Sequence, residues 1–318
     1  MIRDRIDVHA HYLGGTIGSL IDSGVRLRGN YKMPVRWTSD EALAHMDRLE
    51  IAAQVLSTPW GGVGTAEDPE FATQFCRSVN QECAELIAKY PDRFGAFTSV
   101  PLNNPEMALA EIAYGLDELG LDGVVLTSNS LGRYFGQAFY EPILADLNRR
   151  RIPVFVHPID SPRIDELSFG RPSSIVEFPF DTARNITNAI YSGVFQRYPE
   201  LRLILAHSGG ALPTLGWRIA EHTTMGRGPE GADIDPDHVT EVLRGLYYDT
   251  ALAGARHSLL PTLQVTSANH ILFGTDWPAA AEPTVTHNID NLTGFGFTGN
   301  ELAGIERDNA IRLFPRFA

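Results

Sequence analysis

Eight short apolar runs, separated by stretches with helical periodicity, predict an α/β protein: a single (β/α)8 TIM barrel over residues 1–318. The runs are "RIDVHAHY" from Arg5, "AAQVLSTP" from Ala52, "FGAFTSVP" from Phe94, "LDGVVLTS" from Leu121, "IPVFVHP" from Ile152, "LRLILAHSGG" from Leu201, "LYYDTAL" from Leu246 and "ILFGTDWP" from Ile271. Several are rich in Val, Ile, Leu and Phe with little alternation, as strands buried on both faces are. A chain of 318 residues also suits one such barrel. An open doubly wound sheet is the alternative, but no glycine-rich dinucleotide turn follows the first run.

In the first run, Ile6 and Val8 alternate with Asp7 and His9, and His11 follows. This is a strand pattern, and side chains two apart share a face, so His9 and His11 point together. Residues 13–38 hold Gly14, Gly15, Gly18, Gly24 and Gly29 among apolar residues, and are expected to form an insertion capping the barrel mouth. In "PEMALAEIAYGLDELG", Pro105 suits a helix N1 position, with Leu109, Ile112, Leu116 and Leu119 on one stripe. Residues 159–180 form a second long connection. Ile186, Ile190 and Val194 then recur every four residues, and "ERDNAIRLF" closes the chain as a short helix.

The charge balance narrows the partners. Lys and Arg number 26 against 39 Asp and Glu, a net charge of −13, which disfavours nucleic acid. An anionic small-molecule substrate then requires a local cationic patch. No apolar run is long enough to cross a bilayer, and the N-terminus lacks the basic-then-apolar pattern of a signal peptide. Cys76 and Cys83 lie seven residues apart on an expected helix. That separates them by about 10 Å along the axis, too far for a disulfide. A cytoplasmic location is expected.

Active sites of such barrels sit at the C-terminal ends of the strands. His9 and His11 end the first strand, His157 the fifth and His207 the sixth, and Asp276 follows the eighth. Neutral imidazole is the commonest metal ligand. Two imidazoles from strand 1, one from strand 5 and a carboxylate from strand 8 make a mononuclear site with room for water or substrate. His45, His222, His238, His257, His270 and His287 fall in helices or loops and are read as ordinary polar residues.

On "DVHAHY", "PVFVHP", "LILAHSGGALPTLGWR", "LFGTDWP" and "NAIRLF", the sequence resembles the amidohydrolase superfamily. Within it, the resemblance is to the amidohydrolase-related, aminocarboxymuconate-semialdehyde decarboxylase-like family, over essentially the whole chain. "AEIAYGLDELGLDGVVLTSN" and "FYEPILADLNRRRIPVFVHP" look most like the 6-methylsalicylate decarboxylase type. The resemblance implies a metal-dependent non-oxidative decarboxylase of a small aromatic or unsaturated carboxylic acid, of the o-hydroxybenzoate kind. A metal-dependent hydrolase acting on a lactone, an amide or a C–C bond is the alternative. Several benzoate decarboxylases of the family carry E-x-H on strand 1, whereas this chain has H-x-H.

The implied ligands are His9, His11, His157 and Asp276, holding one zinc, with manganese as the alternative. "VVLTSN" ends without lysine, so a bridging carbamylated lysine has no candidate there. His207 is the implied acid/base beside the metal, with Asp276 as the other candidate proton donor. Arg218, eleven residues after His207, is implied to reach a neighbouring subunit's substrate carboxylate, hence a homodimer. A surface salt bridge is its other reading. Lys32 and Arg36 are candidates for neutralising the substrate, and Trp60, Trp277 and Phe180 for walling its pocket. Asp249, near the end of strand 7, is read as a structural hydrogen-bonding residue.

Overall fold

A computed structural model describes residues 4–22, 37–58, 68–225 and 234–318. Its strands are β1 (Arg5–His11), β2 (Ile51–Ser57), β3 (Phe94–Thr98), β4 (Gly123–Thr127), β5 (Pro153–His157), β6 (Arg202–Leu205), β7 (Tyr247–Asp249) and β8 (Ile271–Leu272). They pair in chain order, all parallel, in one eight-stranded sheet. β8 has only two residues, so the barrel closes through the segment that follows it. Val8 N donates to Phe273 O at 3.0 Å, Asp276 N to His9 O at 2.7 Å, and His11 N to Trp277 O at 2.8 Å. The α/β barrel expected from the eight apolar runs is the observed fold.

Helices fill the connections, and their starts are written in the sequence. Asp68, Asn104 and Asp235 each precede a proline at the first helical position, and each side chain accepts from a backbone N–H of the first turn. The stripe expected after Pro105 is shifted. The helix Pro105–Ala113 runs into a π-helical turn, Tyr114–Glu118, and the buried residues are Ala108, Glu111, Ile112 and Gly115. Leu109 in the α-helix is only half-buried, and so are Leu116 and Leu119, which the π turn rotates because it holds more residues than an α turn. The second long connection is partly helical, with Ile164–Leu167 inside it and its last residues beginning the helix Glu177–Tyr191. Ile186 and Ile190 are buried there, while Val194 opens a separate short helix after left-handed Gly193. Cys76 and Cys83 are buried, with no disulfide between them. Among the described residues, no helix is long and apolar enough to cross a membrane.

Two layers of core flank the sheet. Ala53, Val55, Phe97, Val125, Phe155, Ile204 and Leu272 form the inner cluster, which Leu313, Phe314 and Phe317 of the C-terminal segment join. These last lie by the strand N-termini, where Glu306 accepts from Arg5 Nε at 3.0 Å and Arg307 bonds Asp4 O at 3.1 Å. Flanking strand residues such as Leu56, Leu126, Val156 and Phe273 pack outward against helices.

β1 departs from simple alternation. Ile6 and Val8 belong to the inner cluster, yet Ala10 packs in an outer one. From Asp7 to Ala10 β1 advances three residues while β2 advances two, from Gln54 to Leu56. One extra residue on one strand is a β-bulge, and it reverses the facing of everything beyond it. Ile6 and Val8 therefore face the barrel interior near its base, and His9 and His11 face the same interior near its mouth.

Candidate metal centre and active site

His9, His11, His157 and Asp276 are all buried, and each offers a ligand atom within 4.8 Å of the others. Their Nδ1 atoms are fixed first. His9 Nδ1 lies 2.7 Å from Asp249 Oδ2, and His157 Nδ1 donates to Pro158 O at 2.7 Å. His11 Nδ1 donates to Ser57 Oγ at 3.0 Å, while the Ser57 hydroxyl donates to Ala10 O at 3.3 Å. With every Nδ1 engaged, the tautomers are set and the three Nε2 atoms turn to a common point. His11 Nε2 is 2.8 Å from Asp276 Oδ1. His9 Nε2 and His157 Nε2 are buried with no hydrogen-bond partner. Buried nitrogens without partners are costly, and a divalent cation satisfies all of them together with the carboxylate. The residues present fit the metal that the sequence pattern implies.

The turn after β8 is shaped for this. Asp276 is left-handed, with φ 63°, and its amide is held by His9 O. Strained, well-fixed backbone of this kind concentrates at functional sites. His207 and Ser208, just past β6, are also left-handed, with φ 54° and 57°. The His207 ring lies 4.8 Å from that of His9 and 5.6 Å from that of His157. Its Nδ1 is 3.2 Å from Ala251 O, and its backbone N donates to Asp249 Oδ1 at 2.9 Å. One carboxylate thus holds a ligand ring and the backbone of the neighbouring histidine.

The charges are uneven. Burial opposes a proton on His9, but Asp249 and then Asp276 outweigh it and raise its pKa to about 10. Burial lowers His11, and burial with the neighbouring His11 and His9 carries His157 well below the ordinary range. Burial and then His9 lower His207. Burial would raise Asp276, but the hydrogen bond from His11 and the nearby His9 imidazole, its Nε2 3.4 Å away, hold it well below the usual carboxylate range. The cluster is an anionic carboxylate facing mostly neutral imidazoles, a set suited to a divalent cation.

The remaining candidates lie elsewhere. Trp277 is half-buried, and its ring stacks on His45 at 4.7 Å and 16° among the outer helices, not beside the four ligands. Its neighbour Asp276 takes the inward position, which leaves the next side chain on the other side of the turn. Arg218 and Phe180 line a groove of about 570 Å³ between the helices Glu177–Tyr191 and Leu212–Thr224, with Arg184, Tyr191, Leu215 and His222. Lys32, Arg36 and Trp60 lie outside the described residues. Two residues escaped the sequence reading. Phe178, two before Phe180, places its ring 6.4 Å from that of His157. Ser57, which steadies His11, was visible as a polar residue closing the second apolar run.

An eight-stranded barrel with three imidazoles and a carboxylate converging at its mouth defines a metal-dependent barrel enzyme. The amidohydrolase family model matches residues 6–316, and the chain belongs to that family. It is 30% identical to the decarboxylase yanB of Aspergillus niger, over 99% of this chain and 88% of the relative. It is equally 30% identical to the 6-methylsalicylic acid decarboxylase of Penicillium expansum, over 98% of this chain and 96% of the relative. The structure of a 2,6-dihydroxybenzoate decarboxylase complexed with 2,6-dihydroxybenzoate superposes with a TM-score of 0.83 at 25% identity, covering 98% of this chain and 99% of that one.

Proposed function

We propose that this protein removes CO2 from a small hydroxybenzoate of the 6-methylsalicylate kind, with His207 carrying the proton. The chain is a metal-dependent carboxy-lyase. Support for the substrate class comes from relatives named for decarboxylation of 6-methylsalicylate and γ-resorcylate. The observation that carries the assignment of His207 is its place: beside the ligand cluster, fixed by Asp249 and Ala251, yet outside the set of four ligands.

A bound divalent cation supplies a Lewis acid for charge on the substrate's oxygens. The protein's own groups do the rest. Asp276, held ionised by His11 and His9, is poorly suited to donate a proton. His207 is half-buried, so its Nε2 takes a proton from solvent and passes it to the ring carbon that bears the carboxylate. That carbon becomes tetrahedral, its bond to the carboxylate breaks, CO2 leaves, and the ring electrons restore aromaticity. Phe178 offers an aromatic wall beside His157.

The metal is zinc in this reading, because three imidazoles outnumber one carboxylate; manganese is the alternative. The protein acts as a homodimer in which Arg218 meets the partner's substrate. Exposed Trp217, next to Arg218, and exposed Phe169 and Phe180 support this, since such apolar surface favours a covered face. The buried thiols support a cytoplasmic setting. The described start of the 13–38 insertion is anchored where Glu82 accepts from Thr16 N at 3.0 Å and from the adjacent Tyr12 OH at 3.0 Å, while residues 23–36 of the expected cap lie outside the described residues.

The test is CO2 release from a panel of o-hydroxybenzoates, including 6-methylsalicylate and 2,6-dihydroxybenzoate, with elemental analysis of the purified protein. Release that chelation abolishes, and that zinc or manganese restores, is the expected result. No release from any acid, with hydrolysis of lactones or esters instead, overturns it. Sedimentation of the wild type against Trp217→Arg tests the dimer, which the substitution is expected to dissociate.

A further inference from the structure

We infer that Asp7 is a positioning residue for the metal centre, because its carboxylate builds the bulge that turns His9 toward the other ligands. The inference rests on the reading that the four clustered residues hold a metal. Without the extra residue between Asp7 and Ala10, strict alternation would put His9 and His11 on the face opposite Ile6 and Val8. Ile6 and Val8 are fixed in the inner cluster by Phe97, Val125 and Phe155, so the histidines reach that same interior only through the bulge.

A bulge interrupts the ladder and leaves a backbone donor to be satisfied. Here Asp7 Oδ1 accepts from His9 N at 3.0 Å, a carboxylate turning back on the amide two residues ahead. The same oxygen accepts from Thr275 N at 3.0 Å. Oδ2 accepts from Thr275 Oγ1 at 2.7 Å and from Gln54 Nε2 at 2.9 Å. Thr275 Oγ1 in turn accepts from Trp277 N at 3.0 Å, so the two hydrogen bonds bracket left-handed Asp276. One fully buried carboxylate therefore sets the strand that carries His9 and His11 and the turn that carries Asp276. It touches neither substrate nor metal; it acts through the ligands' backbone.

Gln54 gives the discriminating substitution. Its Oε1 is buried and has no partner. In Asp7→Asn, the new amide keeps one oxygen for His9 N and Thr275 N, its NH2 meets Oε1 of a flipped Gln54 and Oγ1 of Thr275, and the Thr275 hydroxyl turns to donate to His9 O, 3.4 Å away. Asp7→Ala keeps none of this. The experiment is competition for zinc against a chromophoric chelator, for wild type, Asp7→Asn and Asp7→Ala, with circular dichroism confirming the barrel. Asp7→Ala is expected to bind zinc at least tenfold more weakly, and Asp7→Asn within about threefold of wild type. Wild-type affinity in Asp7→Ala overturns the inference, and so does an equal loss in both variants, which would make the charge the determinant. If Asp7→Ala does not fold, Thr275→Val decides: a severalfold weaker affinity is expected, and an unchanged one overturns it. A wild type that binds no zinc or manganese at all fails the metal reading itself, and this inference with it.

Discussion

Asp249 Oδ2 lies 2.7 Å from Nδ1 of His9, inside a barrel where both side chains are fully buried. The contact fixes which nitrogen of His9 is left for a metal, and it keeps an anion behind the ligand. Carboxylates placed this way raise ligand basicity, and their loss commonly weakens metal binding by about 10- to 100-fold. Asp249→Asn is expected to lower zinc affinity within that range. Because Asp249 Oδ1 also holds His207 N, turnover should fall further than metal occupancy alone explains. Chelator competition and kcat at saturating metal separate the two effects; unchanged affinity would count against the role given to Asp249.

His207→Asn should leave the metal content at wild-type level, since His207 stands outside the four clustered ligands. Turnover should drop by roughly 10²- to 10⁴-fold, the usual worth of a placed proton carrier. Metal analysis and CO2 release on one preparation check both halves. A variant that loses its metal makes His207 a ligand instead.

Metal uptake should release a proton. In the metal-free protein the carboxylates of Asp249 and Asp276 overcome burial and raise His9 to about 10, so it is protonated near neutral pH. Coordination needs the neutral imidazole, and the proton must leave. Affinity should therefore rise with pH from 6 toward that value, by about tenfold per pH unit for one proton. Calorimetry in buffers of different ionisation enthalpy counts the protons directly, and a count near zero contradicts the charge state given to His9.

Gly210 ties the segment after His207 to the second long connection. It is left-handed, with φ 59°, and a Cβ there would strike the Pro179 carbonyl, which accepts from Ala211 N at 3.1 Å. Gly210→Ala should cost on the order of 1–3 kcal/mol and lower the melting temperature by several degrees. It should also raise KM, because Phe178 adjoins the displaced turn. Calorimetry and steady-state kinetics test the pair of effects, and an unchanged melting temperature would show that the turn is not strained as described.

Local pattern in the sequence determined much of this protein. The eight apolar runs became eight strands, because burial on both faces leaves a signature that does not depend on the partner strand. The polar residues at their ends, His9, His11, His157, His207 and Asp276, were legible as a set, because barrel topology gathers strand C-termini at one mouth. Tertiary structure decided the rest. Alternation along "RIDVHAH" could not place Ile6 and His9 on one face, since the bulge is a property of pairing with β2 and with the segment after β8. The same limit holds for Trp277, which the Asp276 turn sends outward onto His45, and for Asp249, whose two histidine contacts come from β1 and from the residue after β6. Periodicity reports how a segment meets its own core, whereas register and turn geometry arise only between segments far apart in the chain.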